Sequence, residues 1–205
     1  MALRPTVVVV AVDVVQRVRI DRLRALGLPV YQVHVTRLAG MPESLRRLGE
    51  LAGTPETAGR AAAALDADLA RIAARYRQRK PVRVLYQIWD KPIYTIGGRH
   101  VITDALALCG ATNVFADLTT AAPAVTREAA VLRDPQLILV SAPPGYGDDW
   151  LAEWRRFPAL DAVRNGHLVK YTDARMDRMG PSVVAASAHL CEVVDGARGA
   201  PSPER

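Results

Sequence analysis

The residues best able to do chemistry in this chain are four histidines, two cysteines and two short clusters of aromatic and charged side chains. His34, His100, His167 and His189 are scattered, none with a second histidine at ligand spacing, so a metal site built from side chains is not expected. No phosphate-cradling glycine loop, no G-x-G-x-x-G after a strand and no nucleophile elbow occurs, and the chain is not expected to be an enzyme. Cys109 and Cys191 fit two inert core thiols or one disulfide, and spacing alone decides neither. What remains is recognition. From Trp89 to Gly98 the chain combines aromatic area (Trp89, Tyr94), a hydroxyl (Thr95) and two glycines that permit close backbone approach (Gly97, Gly98), with Tyr86 just upstream. That mixture suits a wall for a large, flat, partly apolar ligand; equally, the rings could pack beneath their own loop. A second cluster, Asp173, Arg175, Asp177 and Arg178, follows the last strand, where open α/β sheets place ligands; it could also be a set of solvated ion pairs.

The elements that must hold these residues are layered α/β. Val7–Val12 reads as a strand, Arg17–Leu26 as a helix closed by Gly27, and Val30–Val35 as a parallel strand. Pro42–Leu51 reads as a helix ended by Gly53. Thr54 then offers an N-cap with Pro55 at the first helical position, and an Ala- and Arg-rich helix runs to about Arg79, on the order of 35 Å at 1.5 Å per residue. A second α/β block follows: strand Val82–Ile88, a loop to Gly98, helix Val101–Cys109, strand Asn113–Phe115, helix Thr126–Leu132, strand Gln136–Ser141, helix Asp149–Arg156, strand His167–Tyr171 and helix Pro181–Val194. The tail after Asp195 reads as frayed.

Bulk properties narrow the function further. With 205 residues, half of them hydrophobic, the chain can bury one sizeable core or two small ones. Its net charge of +6 comes from arginines spread along the whole length beside many acids, with no basic stripe, so nucleic acid is not an expected partner. The apolar run at Thr6–Val15 is broken by Asp13, and no stretch reaches the roughly 20 residues of a membrane span. The β-branched block Val7–Val10 is a strand rather than a secretory leader, so an exported protein would carry its leader upstream of Met1.

The segments VRVLYQIWDKPIYTIGGRHVITDALALCGATNVFAD, APAVTREAAVLRDPQLILVS, FPALDAVRNGHLVKYTD and GPSVVAASAHLCEVV, in this order, resemble the C-terminal lobe of periplasmic cobalamin-binding proteins. These belong to the helical-backbone class of ABC-importer substrate-binding proteins, which also carries siderophores and haem. The similarity extends back through ALRPTVVVV and LRALGLPVYQV. It implies two α/β lobes joined by one long helix: residues 1–53 as the remainder of an incomplete first lobe, 54–80 as the backbone helix, 81–195 as a complete C-terminal lobe and 196–205 as a flexible tail.

The resemblance also implies a function and its residues. The chain would bind cobalamin or a related corrinoid in an interlobe cleft, or alternatively a ferric chelate or haem, and deliver it to an ABC permease at the inner membrane. It would be periplasmic, monomeric at full length and without a cofactor of its own. A non-functional fragment and a small α/β enzyme are the remaining alternatives. Tyr94 and Arg178 match ligand-contacting positions of the family, Glu128 matches a carboxylate that docks on permease arginines, and Cys109 and Cys191 match a disulfide. Glu128 also suits a purely local role in the first turn of a helix capped by Thr126. Family aromatics are replaced by Ala11 and Ala122, and an acid by Ala174, so the ligand need not be cobalamin itself.

Overall fold

The computed structural model describes residues 5–11, 17–176, 178 and 180–199. The chain divides into two compact units, residues 1–35 and 36–205.

The first unit is the expected βαβ element. Strand β1 (Val8–Ala11) pairs in parallel with β2 (Val30–Val33), and α1 (Arg17–Ala25) connects them, with Gly27 closing the helix at a φ of 75°. Ile20 is the buried residue of α1.

The second unit begins before the boundary expected at residue 53. Helix α2 (Gly40–Leu51) belongs to it because α2 packs tightly on α3 (Pro55–Tyr76). A Cβ at Gly49 would lie 2.1 Å from the Cβ of Ala58, so only glycine lets the two helices come this close. Pro55 opens α3 as expected, but Thr54 makes no side-chain cap and the helix ends at Tyr76, short of Arg79.

The sheet of this unit is centred on β3 (Val82–Trp89). On one side β3 pairs in parallel with β7 (Leu137–Val140), which pairs in parallel with β8 (Leu168–Lys170). On the other side its first half pairs in parallel with β5 (Ala111–Asn113), and its end pairs antiparallel with β4 (Ile93–Thr95), itself antiparallel to β6 (Ala124–Val125). β7 and most of β3 are buried because helices cover both faces, which is why β7 reads as an unbroken apolar run and β3 as an apolar run broken by Arg83 and Gln87. On one face Leu85, Ile138 and Val140 meet α5 (Arg127–Leu132), α6 (Asp148–Arg155) and the short α7 (Asp161–Arg164) through Ala130, Trp150, Leu151, Trp154 and Ala162. On the other, Tyr86 packs edge-on against Tyr171, whose hydroxyl donates to the Ala186 carbonyl of α8 (Ser182–Gly196); α8 lies against α4 (Val101–Leu108).

Two devices fasten that second face. The Cys109–Cys191 disulfide implied by the resemblance joins the end of α4 to α8, with both sulfurs fully buried. Beyond α8, Arg198 donates to the carbonyls of Lys80, Cys109 and Gly110 and pairs with Asp195, which also accepts a bidentate pair from Arg79. The start of the tail is therefore not frayed as expected: residues 196–199 are held because one nearly buried guanidinium donates to three backbone carbonyls. The Arg79 and Arg198 side chains hold the Asp195 carboxyl below its ordinary pKa. Residues 200–205 lie outside the described residues.

The disulfide spans 82 residues of sequence. Replacing both cysteines by serine is expected to cost about 4 kcal/mol in the unfolded-chain entropy account, read as a lower denaturant midpoint. An unchanged midpoint would contradict the structural role assigned to the bridge.

Candidate functional site

The segment after β3 is not the open loop expected. Its central residues form β4, and an irregularity in the β3–β4 pairing sets the geometry: Gln87 lies opposite Thr95, but Trp89 lies opposite Tyr94. One extra residue on β3 is a β-bulge, which re-aims the side chains that follow it. The result is two aromatic side chains in cross-strand register and open to solvent, Trp89 at 46% and Tyr94 at 36% exposure, while Ile93 and Thr95 on either side of Tyr94 are buried. Trp89 also meets Trp150 of α6 edge to face, with centroids 5.8 Å apart. Trp150 was not anticipated from sequence; its place in a DDWLAEW helix marks a core residue as readily as an aromatic support.

Beneath the aromatic pair lies a buried polar node. Gln87 is wholly inaccessible; its Oε1 accepts the Trp154 indole N–H at 2.7 Å, and its Nε2 donates to the Trp89 carbonyl at 3.1 Å and to Asp90 Oδ1 at 3.3 Å. Two of these hydrogen bonds hold the chain as it leaves β3, and the third ties the sheet to α6.

Two residues assigned to the ligand wall fall elsewhere. Tyr86 is fully buried against Tyr171 on the opposite face of β3, because strand alternation points it away from Gln87. Thr95 is also fully buried, its hydroxyl donating to the Tyr86 carbonyl at 2.8 Å. Gly97 and Gly98 do permit a close backbone approach, but the backbone is the chain's own. A Cβ on either would lie 2.0 Å from a carbonyl oxygen, that of Thr120 for Gly97 and that of Ala116 for Gly98. Next to Gly98, a cavity of about 380 Å³ is lined by Thr36, Arg37, Arg99, Thr103 and Asp104. Asp104 accepts the Leu38 N–H there at 2.7 Å and faces Arg37 at 3.6 Å.

The second cluster is an ion-paired turn. Asp173, its side chain 8% exposed, takes both arms of Arg175 at 2.9 and 2.6 Å, and His189 Nδ1 lies 3.5 Å away. The Arg175 guanidinium is the main reason the Asp173 carboxyl is lowered to about 2. Ala174 and Arg175 form the turn, Arg178 is exposed beyond it, and Asp177 lies outside the described residues.

Glu128 is exposed in the first turn of α5, whose N-cap Thr126 accepts the Ala129 N–H at 3.2 Å. Its own backbone N–H, then the Thr126 hydroxyl, keep the Glu128 carboxyl below its ordinary range and so ionised. Among the described residues no group of three or more His, Cys, Asp or Glu is placed to hold a metal ion, and no helix is long and apolar enough to cross a membrane. Two of the histidines act locally: His100 caps α4 by accepting the Ile102 N–H, and His167 meets the Gln136 carbonyl.

Comparison with known proteins gives one consistent picture. The vitamin B12-binding protein of Vibrio parahaemolyticus is 27% identical over 173 residues, covering 84% of this chain and 62% of that protein. The chain thus spans about three fifths of the length of the curated relatives it matches. The crystal structure of the periplasmic vitamin B12-binding protein of Vibrio cholerae superposes with a TM-score of 0.83 at 25% identity, over 95% of this chain and 75% of that one. The periplasmic haem-binding protein from a Roseiflexus species shares the fold, with a TM-score of 0.80 at 22% identity over 95% of this chain and 77% of that one. A family model described as periplasmic binding protein matches residues 1–174. With five sixths of its length under that match, on the α/β architecture described above, the chain belongs to the periplasmic binding protein family.

Proposed function

We propose that this chain is the ligand-recognising part of an ABC-importer substrate-binding protein whose ligand is cobalamin or a related corrinoid. The exposed cross-strand pair Trp89 and Tyr94 carries the reading. A corrin ring is broad, flat and partly apolar, and two aromatic side chains held in register offer it area with little conformational entropy to lose. The names of the vitamin B12-binding relatives support the choice of ligand class. Haem is the competing flat ring, because proteins named for haem share the fold. Arg178, exposed beyond the Asp173 turn, would meet polar substituents at the ring edge. Delivery would follow by docking of the ionised, exposed Glu128 against a basic permease surface, an arrangement that orients the partner more than it tightens binding. The protein would act in the periplasm, as a monomer.

Titration with cyanocobalamin is expected to quench Trp89 fluorescence, and Tyr94→Ala to weaken binding about tenfold, the loss of one well-packed aromatic contact. Quenching by hemin alone would replace the corrinoid with haem. No response to either would end the binding reading.

The Asp173 turn gives a pH test. Its carboxyl is depressed to about 2, so the ionised form is favoured in the folded chain. The stabilisation is therefore present above pH about 4 and is lost as pH falls through about 2. Asp173→Asn should lower the thermal midpoint at pH 6, with the gap to wild type closing toward pH 2. Arg175 is half exposed, so solvent screening keeps the effect modest. A gap independent of pH would show that the ion pair does not order the turn.

A further inference from the structure

Asp90 and Arg127 are not used by the ligand reading, yet they occupy the junction between its two parts. Asp90 is nearly buried in the turn between β3 and β4, one residue after Trp89. Arg127 opens α5, one residue before Glu128. Arg127 Nη2 donates to Asp90 Oδ1 at 3.2 Å, the same oxygen that accepts Gln87 Nε2, and the guanidinium lies over the Trp154 ring, 4.7 Å from its centroid. Among the described residues the other cation at this carboxylate is Lys91, mostly exposed and 4.0 Å from Oδ2.

These contacts close a ring. β4 already pairs with β6 through Ile93 with Val125 and Tyr94 with Ala124, and β6 runs directly into Thr126 and Arg127. The ion pair ties the other end of the aromatic turn to the same helix, so the segment carrying Trp89 and Tyr94 is held to α5 at both ends. As a stability device the pair is poor. Arg127 Nη1 is buried with no acceptor among the described residues, and apolar side chains commonly stabilise such a site as well or better. A fork bound to carboxylate and ring at once does fix direction.

We propose that Arg127 is a positioning residue: through Asp90 it sets the pose of the Trp89–Tyr94 pair and yokes that pair to α5, the helix that presents Glu128. Displacement of the aromatic turn by a bound ring is then passed to the docking helix, and docking in turn biases the aromatic pose. What the yoke transmits rests on the binding and docking reading above; the yoke itself is tested without ligand.

Amide hydrogen exchange of the 205-residue chain provides the test, with each substitution read in the other segment. Arg127→Gln is expected to speed exchange at Thr95 and Gly97, whose N–H groups are bonded to Pro123 and Ala121. Asp90→Asn is expected to do the same at Ala129 and Ala130 of α5. Each change should be about tenfold, the loss of one charge-assisted hydrogen bond, with the amides of β7 unchanged. The double variant should exceed the stronger single one by little, since both remove the same link. Effects confined to the substituted segment, or fully additive, would overturn the proposal. If Arg127→Gln also exposes β7, the near-isosteric Asp90→Asn decides alone. Cyanocobalamin titration of the same proteins separates the two readings: a wild type that binds no corrinoid defeats the ligand assignment and leaves the exchange result standing.

Discussion

Gln87 is an amide with no solvent access in β3, the strand on which the sheet is centred, and the local architecture is organised around satisfying it. Leaving a buried donor or acceptor open costs about 1–3 kcal/mol, so Trp154, the Trp89 carbonyl and Asp90 are each bound to a place by this one side chain. The Trp154 bond fixes α6 against the sheet, and α6 carries Trp150, on which Trp89 leans. The bond to the Trp89 carbonyl holds the chain as it enters the bulge that puts Trp89 opposite Tyr94. An apolar residue at 87 would fill the space but direct none of these neighbours.

The remainder of the second unit supplies a rigid mounting for that node. β3 is paired with β7 on one side and with β5 and then β4 on the other, and helices cover both faces of the sheet. On the face away from Gln87, the Cys109–Cys191 bridge and the Arg198 clamp lock α8 against α4. Rigidity on that face and directed polar contacts on the other leave Trp89 at the end of β3 and Tyr94 in β4 with aromatic surface open to solvent.

Much of this was legible in the sequence, for identifiable reasons. Long periodic stretches such as Pro55–Tyr76, and apolar runs such as LILV, announce their elements because burial dictates their composition. The disulfide and the family came from resemblance, since spacing alone left Cys109 and Cys191 ambiguous. Tyr86 was misassigned because alternation along β3 turns it to the face opposite Gln87, against Tyr171, while the pairing of Trp89 with Tyr94 depends on a bulge in register with a three-residue strand that carries little signal of its own. Gly97 and Gly98 were read as openings toward a ligand, whereas a distant stretch, residues 116–120, fills that space. Arg198 sits in a composition that reads as tail, and only tertiary carbonyls give it a role. The Gln87 node escaped notice for a related reason: a single glutamine in a strand says nothing until its partners, up to 67 positions away, are brought to it.

The indole N–H of Trp154 reports directly on the Gln87 node. Its hydrogen-exchange rate, followed by nuclear magnetic resonance beside the indoles of Trp89 and Trp150, should be as slow as that of the β7 amides in wild type. In Gln87→Leu it should rise at least tenfold while β7 stays protected, the signature of one lost buried hydrogen bond. A Trp154 indole that exchanges as fast as the exposed Trp89, or whose protection is indifferent to the substitution, would contradict the claim that Gln87 positions the aromatic site.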